Sequence, residues 1–214
     1  MGWIKEIKNQ PRWPGHCQNG ETDILKYIFN NIGVTNKYLV DIGAWDGSHL
    51  SNTKAFVDSG WNGLLVDAKD FPGVFKSFVT VENITDTLTS NSVPKEFDLL
   101  SLDIDGNDYW ILKKILENYK PRVIISEYNS EHPLIDSKAI EYDPSFEFDA
   151  TDYYGYTFGA GMHLADEFGY TIVYQISETN LFYLRNDLVH EEPDFEIKQF
   201  RHWNKKSFKK WIKI

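Results

Sequence analysis

An open α/β sheet, mostly parallel and wound on both sides, is the fold this sequence predicts, and three observations predict it. Short apolar runs without strict alternation recur at 38–42, 63–67, 97–103 and 121–127, as in strands buried on both faces. Helix-length segments separate most of these runs, giving the β-α-β-α order of a parallel sheet. The last two runs, 170–176 and 181–185, are joined by too few residues for a crossover and must be antiparallel neighbours. The expected architecture is an α/β sheet of about seven strands, helices on both faces, and an antiparallel last strand pair.

Taken in order, residues 1–20 carry Pro11, Pro14, Gly15 and Gly20 and read as an irregular lead-in. The segment 22–32 places Ile24, Leu25, Ile28 and Ile32 on one helical face, with Thr22 as its expected N-cap. The strand 38–42 leads to a helix over 51–59, stopped by Gly60, and then to the strand 63–67. A weaker strand is expected at 78–81, then the strand 97–103, a helix running to Tyr119, and the strand 121–127. Residues 128–155 are acidic and aromatic, with Pro133, Pro144 and Gly155, and read as a long functional loop over the top of the sheet. A helix at 158–168 precedes the final strand pair. No linker or repeat divides the chain, so 1–214 reads as one domain.

Charge and composition narrow the function. The chain has 214 residues, a net charge of −10 and 42% apolar residues. It lacks the basic footprint of a nucleic-acid binder, so no nucleic-acid partner is expected. Cys17 is the single cysteine, in keeping with a reducing compartment. No run approaches the ~18 apolar residues of a membrane span, and the expected location is cytoplasmic. Residues 198–214 hold seven Lys or Arg and no acid, interleaved with Phe200, Trp203, Phe208, Trp211 and Ile212. That stretch reads as a docked helix with a solvated basic face, ahead of a membrane-surface or acidic-ligand contact.

In open α/β sheets the ligand sits outside the carboxyl ends of the strands. Asp41, Asp67, Asp103 and Glu127 fall at four such ends. The first strand runs into Asp41-Ile-Gly43-Ala-Trp-Asp-Gly47, whose glycines let backbone approach a nucleotide-like ligand. The Gly-x-x-x-Gly spacing is not that of a pyrophosphate turn, and an acid precedes it. An acidic lining suits a ligand with a cationic centre. Asp67 ends the next strand, where an acid accepts from ribose hydroxyls. Adenosine with a cationic tail points to S-adenosylmethionine, with Asp41, Gly43, Gly47, Asp67 and Asp103 as its contacts and Asn83 near the adenine.

The chain also resembles the FkbM-type methyltransferases. The resemblance lies in Gln18-Asn-Gly-Glu21, Asp41-Ile-Gly-Ala-Trp-Asp-Gly-Ser48, Leu50-Ser-Asn-Thr53, Gly60-Trp61, Gly63-Leu-Leu-Val-Asp67, the segment 99–110, Pro121-Arg-Val-Ile-Ile-Ser-Glu-Tyr-Asn129 and Tyr153-Tyr-Gly155. It spans roughly 17–187, with 99–110 and Glu-Tyr-Asn129 its most specific parts. The resemblance implies the class I, Rossmann-like methyltransferase fold, S-adenosylmethionine as donor, and O-methylation, often of sugars or polyketide-derived hydroxyls. The segment 130–152 has no counterpart in it.

Methyl transfer needs alignment of acceptor and donor and removal of the acceptor's proton. Asp103, Asp105 and His132 are the candidate catalytic groups, Asp105 being equally readable as a helix N-cap. Asp103, Glu127 and Asn129 lie at adjacent strand ends and offer hard oxygen ligands for Mg²⁺ or Ca²⁺. The segment 130–152, with Tyr142, Phe146 and Phe148, is expected to form the wall of a saccharide or related small-molecule acceptor site. The competing functions are an NAD-type oxidoreductase, against which the glycine spacing argues, and a non-catalytic adapter of the same fold.

Overall fold

The structure is a computed structural model that describes residues 2–13, 15–176, 179–198 and 205–214. A 3-10 helix at Ile4–Asn9 precedes α1 (Glu21–Ile32), β1 (Tyr38–Ile42), α2 (Lys54–Asp58), β2 (Asn62–Asp67), β3 (Phe75–Lys76), α3 (Ile84–Ser90) and β4 (Glu96–Leu102). Then follow α4 (Asp108–Leu116), β5 (Lys120–Glu127), β6 (Lys138–Ile140), α5 (Phe158–Phe168), β7 (Tyr170–Ile176), β8 (Asn180–Arg185) and β9 (Trp211–Lys213).

Seven strands form one sheet in the order β3-β2-β1-β4-β5-β8-β7. The first five are parallel, and β8 pairs antiparallel with both β5 and β7. This is the expected Rossmann-like architecture. Side chains alternate along the central strands as the pleat requires. Leu39, Leu99, Val123 and Ile125 face one core with Ile24, Leu25, Ile28 and Phe56. Val40, Ile42, Leu100, Leu102 and Ile124 face the other with Ile84, Leu88, Ile111, Leu112 and Leu164. Helices α1 and α2 thus cover one face, and α3, α4 and α5 the other.

Several local expectations shift. Gly20, at φ 89°, occupies the N-cap of α1, and Thr22 lies inside the helix with its hydroxyl donating to the Asn52 carbonyl. The strand expected at 78–81 is replaced by the two-residue β3 upstream. Ser77 N donates to the Asp67 carbonyl at 2.7 Å, which turns the chain out of the sheet before Phe78. The 1–20 lead-in holds the 3-10 helix, whose Ile4 and Ile7 are buried; Pro14 lies outside the described residues.

The basic C-terminal segment is the largest correction. Where it is described it is extended, and β9 pairs antiparallel with β6 from the acidic loop. Lys206 and Lys209 pair with Asp152 and Asp149 at 3.0 and 2.9 Å, and Ser207 N donates to Asp152. Strand pairing and charge together bind the tail to the loop, so it forms no docked helix there. Phe200 and Trp203 lie outside the described residues. Among the described residues, no helix is long and apolar enough to cross a membrane.

Candidate functional site

The strand order reverses between β1 and β4, which opens a crevice at their carboxyl ends. The turn after β1 fixes its edge. Gly43 and Ala44 both donate to the Val66 carbonyl at 3.0 Å, and Asp103 N donates to Ile42 at 3.0 Å. Gly43 has φ 84°, and a Cβ there would lie 1.6 Å from the Asp103 carbonyl oxygen. Glycine is therefore needed first for β1 to close against β4. A Cβ on Gly47, at φ 71°, would meet Leu65 at 2.9 Å, so this second glycine is packed on β2.

Two pockets meet in the crevice. The first, about 350 Å³, is bounded by Ile42, Val66, Phe78, Val79, Ile104 and Phe146, with Asp67, Lys69, Ser77 and Asn107 as polar groups. The second, about 340 Å³, is bounded by Glu21, Asp41, Glu127, Asn180, His49 and Asn52, among others. Gly43, Trp45, Asp103 and Asp105 line both. Trp45 and Asp105 stand at the junction with φ of 50° and 53°, and Leu50 on the second pocket has φ 51°. Left-handed backbone at non-glycine residues costs roughly 1–2 kcal/mol each, and such outliers gather at functional sites.

The carboxylates are held in different ways. Asp67 accepts from Trp45 N and Lys69 N, both at 2.8 Å, and keeps lone pairs for a ligand in the first pocket. Asp41 is 4% exposed and accepts from the Thr53 hydroxyl at 2.6 Å. Burial pushes its pKa up to about 6, against the lowering effect of its hydrogen bonds from Thr53 and Ser101. Asp103 and Glu127 stand close together; burial first, and neighbouring carboxylates second, push both well above the usual carboxylate range. Such a pair titrates as a unit.

Asp105 is not the cap of α4. Asn107 holds that position, and the Asp108 carboxylate takes Ile104 N and Gly106 N at 2.9 and 2.8 Å. Asp105 faces the crevice, where desolvation raises its pKa. One oxygen each from Asp103, Asp105 and Glu127 can lie within 4.8 Å of one another. These are hard donors of the type that Mg²⁺ or Ca²⁺ takes, with Asp105 in the place expected for Asn129.

Three expected residues sit elsewhere. Asn129 is fully buried, donating to the Asp152 and Tyr154 carbonyls and accepting from Glu131 N; it braces the long loop. His132 is 8% exposed, packs edge-on against Trp211 at 4.5 Å and lines neither pocket. Burial and then Lys138 lower its pKa. Asn83 bonds Thr80 N and the Phe78 carbonyl, closing the turn before α3; Ser77, Phe78 and Val79 line the pocket in its stead.

The acceptor-wall expectation also moves. From the segment 130–152 only Phe146 reaches these pockets, and it lines the first one. The second is walled by Gln18, Glu21, residues 49–52, Thr179 and Asn180. The Gln18–Glu21 motif was visible in the sequence. Thr179 and Asn180, at a hairpin end, carried no signal.

No protein-family model matches the chain, and no curated protein matches it. Among solved structures it is similar to the N-terminal domain of EvdMO1 with SAH bound, at 11% identity and TM-score 0.45 over 77% of this chain and 80% of that one. The same domain in the presence of SAH and D-fucose matches at 11% identity and TM-score 0.45, over 85% and 94%. The small RNA methyltransferase HEN1 matches at 14% identity and TM-score 0.36, over 85% of this chain and 27% of that one.

Proposed function

We propose that the chain is an S-adenosylmethionine-dependent O-methyltransferase acting on a hydroxyl of a saccharide or related small molecule. One observation carries this reading: an apolar pocket rimmed by Asp67 opens, through Gly43, Trp45, Asp103 and Asp105, into a second pocket rich in carboxylates. Adenosine fits the first, with its ribose hydroxyls on Asp67 and its base among Phe78, Val79, Ile104 and Phe146. The sulfonium is favoured at the acidic junction, and the acceptor enters the second. In transfer, the methyl leaves sulfur as the oxygen–carbon bond forms, and the hydroxyl proton passes to Asp103. Asp103 lines both pockets, and a carboxylate at their junction can take that proton.

Calorimetry with S-adenosylhomocysteine tests the donor site. Asp67→Ala removes charge-assisted hydrogen bonds of about 1.5–3 kcal/mol, so affinity falls by roughly 10- to 150-fold. An unchanged affinity removes Asp67 from the site, and no binding by the parent protein overturns the donor reading.

A further inference from the structure

Two acceptor atoms in the second pocket have no hydrogen-bond donor. Asn180 opens β8, is 4% exposed, and its Oδ1 has no partner. Its amide NH₂ donates to Thr179 Oγ1 at 3.1 Å and Glu21 Oε1 at 3.4 Å, which leaves the oxygen for a further donor. Glu127 is its register partner across β5 and β8, and Glu127 Oε2 likewise has no partner. Each such acceptor costs about 1–3 kcal/mol when left unmet. Two of them on neighbouring strands, both lining one pocket, call for a ligand that brings N–H or O–H donors.

Charge selects among such donors. Glu21, Asp41, Asp103, Asp105 and Glu127 line this pocket, and no lysine or arginine is among its described lining residues. S-adenosylmethionine has a sulfonium and an ammonium against one carboxylate, a net single positive charge. The pocket sets five carboxylates against that single charge. Position separates the two ligands. The donor is placed at β2, β1 and β4, whereas β5 and β8 lie on the far side of β4. With strands ~4.8 Å apart, the Glu127–Asn180 corner stands one to two strand spacings beyond the crevice, on the acceptor's side.

We propose that the acceptor carries a protonated amino group that seats on Glu127 and Asn180, as a recognition handle, while a nearby hydroxyl takes the methyl. The inference rests on the methyltransferase reading above. An ammonium has three N–H donors and no acceptor, which matches two unmet oxygens in an acidic pocket. Protonated, it has no lone pair and is not itself methylated.

The test is binding of matched amine and hydroxyl probes, D-glucosamine against D-glucose and ethanolamine against ethylene glycol, followed by NMR titration. Both pairs are measured on the free protein and on the protein with S-adenosylhomocysteine. Each amine is expected to bind at least ~10-fold tighter than its partner, the worth of one charge-assisted hydrogen bond. Asn180→Ala lowers that ratio, and the near-isosteric Asn180→Asp raises it. Equal binding within both pairs overturns the proposal, as does a ratio that neither variant changes. Tight Mg²⁺ or Ca²⁺ binding with no amine preference also overturns it and makes the corner a metal site. Failure of S-adenosylhomocysteine to bind overturns the donor reading, while the amine preference of the free protein still decides the handle.

Discussion

Replacing Asp41 by Asn separates what this carboxylate costs the fold from what it does for the donor. Asp41 is buried at the end of β1 and lines the acidic pocket. Its pKa rises from 3.8 to about 6 on folding, worth about 3 kcal/mol. The folded pKa is the higher one, so the stabilising contribution of the protonated form is complete below pH 3.8 and is lost as pH rises through about 6. Asparagine keeps an oxygen to accept from Thr53 and never ionises. The variant is therefore expected to gain about 3 kcal/mol relative to the parent between pH ~4 and pH ~7, or roughly 6–12 °C in Tm for a domain of this size. Only the difference between the two proteins is read, by urea unfolding at several pH values, because other groups titrate in both. Affinity for S-adenosylmethionine is expected to fall in the same variant, because one negative charge is gone from the acidic pocket that adjoins the proposed sulfonium position. A stability difference that stays constant across this pH range would refute the reasoning: the carboxylate would then have its ordinary pKa in the folded protein.

Two further substitutions probe the walls of the site. Gly43→Ala places a Cβ against the Asp103 carbonyl in a left-handed backbone, and is expected to destabilise by roughly 2–5 kcal/mol in chemical denaturation; parental stability would show that β1 and β4 do not meet as described. Phe146→Ala removes an aromatic wall of the first pocket and is expected to weaken S-adenosylhomocysteine roughly 3- to 10-fold without loss of folding; an unchanged affinity would place the adenosine elsewhere.

The sheet was legible in the sequence because its strands announce themselves. Buried parallel strands are continuous apolar runs, and β1, β4 and β5 are bounded within about a residue of those runs. The acids at their ends could be read for the same reason, since strand termini in this fold face the crevice. What escaped was determined by partners distant in sequence. Asn129 and His132 look like site residues from their place after β5, yet Asn129 is held by carbonyls 23 and 25 residues away. Asp105 read equally as a cap and as a catalytic group until the structure showed Asn107 at the cap and the Asp108 carboxylate turned back on Ile104 and Gly106. Glu21 and Asn180 are 159 residues apart and meet across the mouth of the sheet; no local pattern predicts that pairing.

The charge asymmetry of the chain has its explanation inside the molecule. Read as sequence, the basic aromatic tail is a docked helix with a solvated basic face, ahead of a membrane-surface or acidic-ligand contact. In the structure its described part lies on the acidic loop between β5 and α5, through β6 and β9, Asp149, Asp152 and the Tyr153 hydroxyl on the Lys210 carbonyl. Lys209 also lies over the Phe146 and Tyr153 rings at 5.4 and 5.3 Å. Exposed ion pairs contribute little to stability one at a time, so their consequence here is positional. They hold the loop beside the first pocket, which Phe146 lines, and no acid of that loop lines the second. The acids of the second pocket come from the ends of β1, β4 and β5, the turn after β4 and the start of α1. Acids carried mostly on a sheet and a helix can be held in fixed register and so discriminate an ammonium from a hydroxyl, whereas a mobile acidic loop would offer both the same solvated surface.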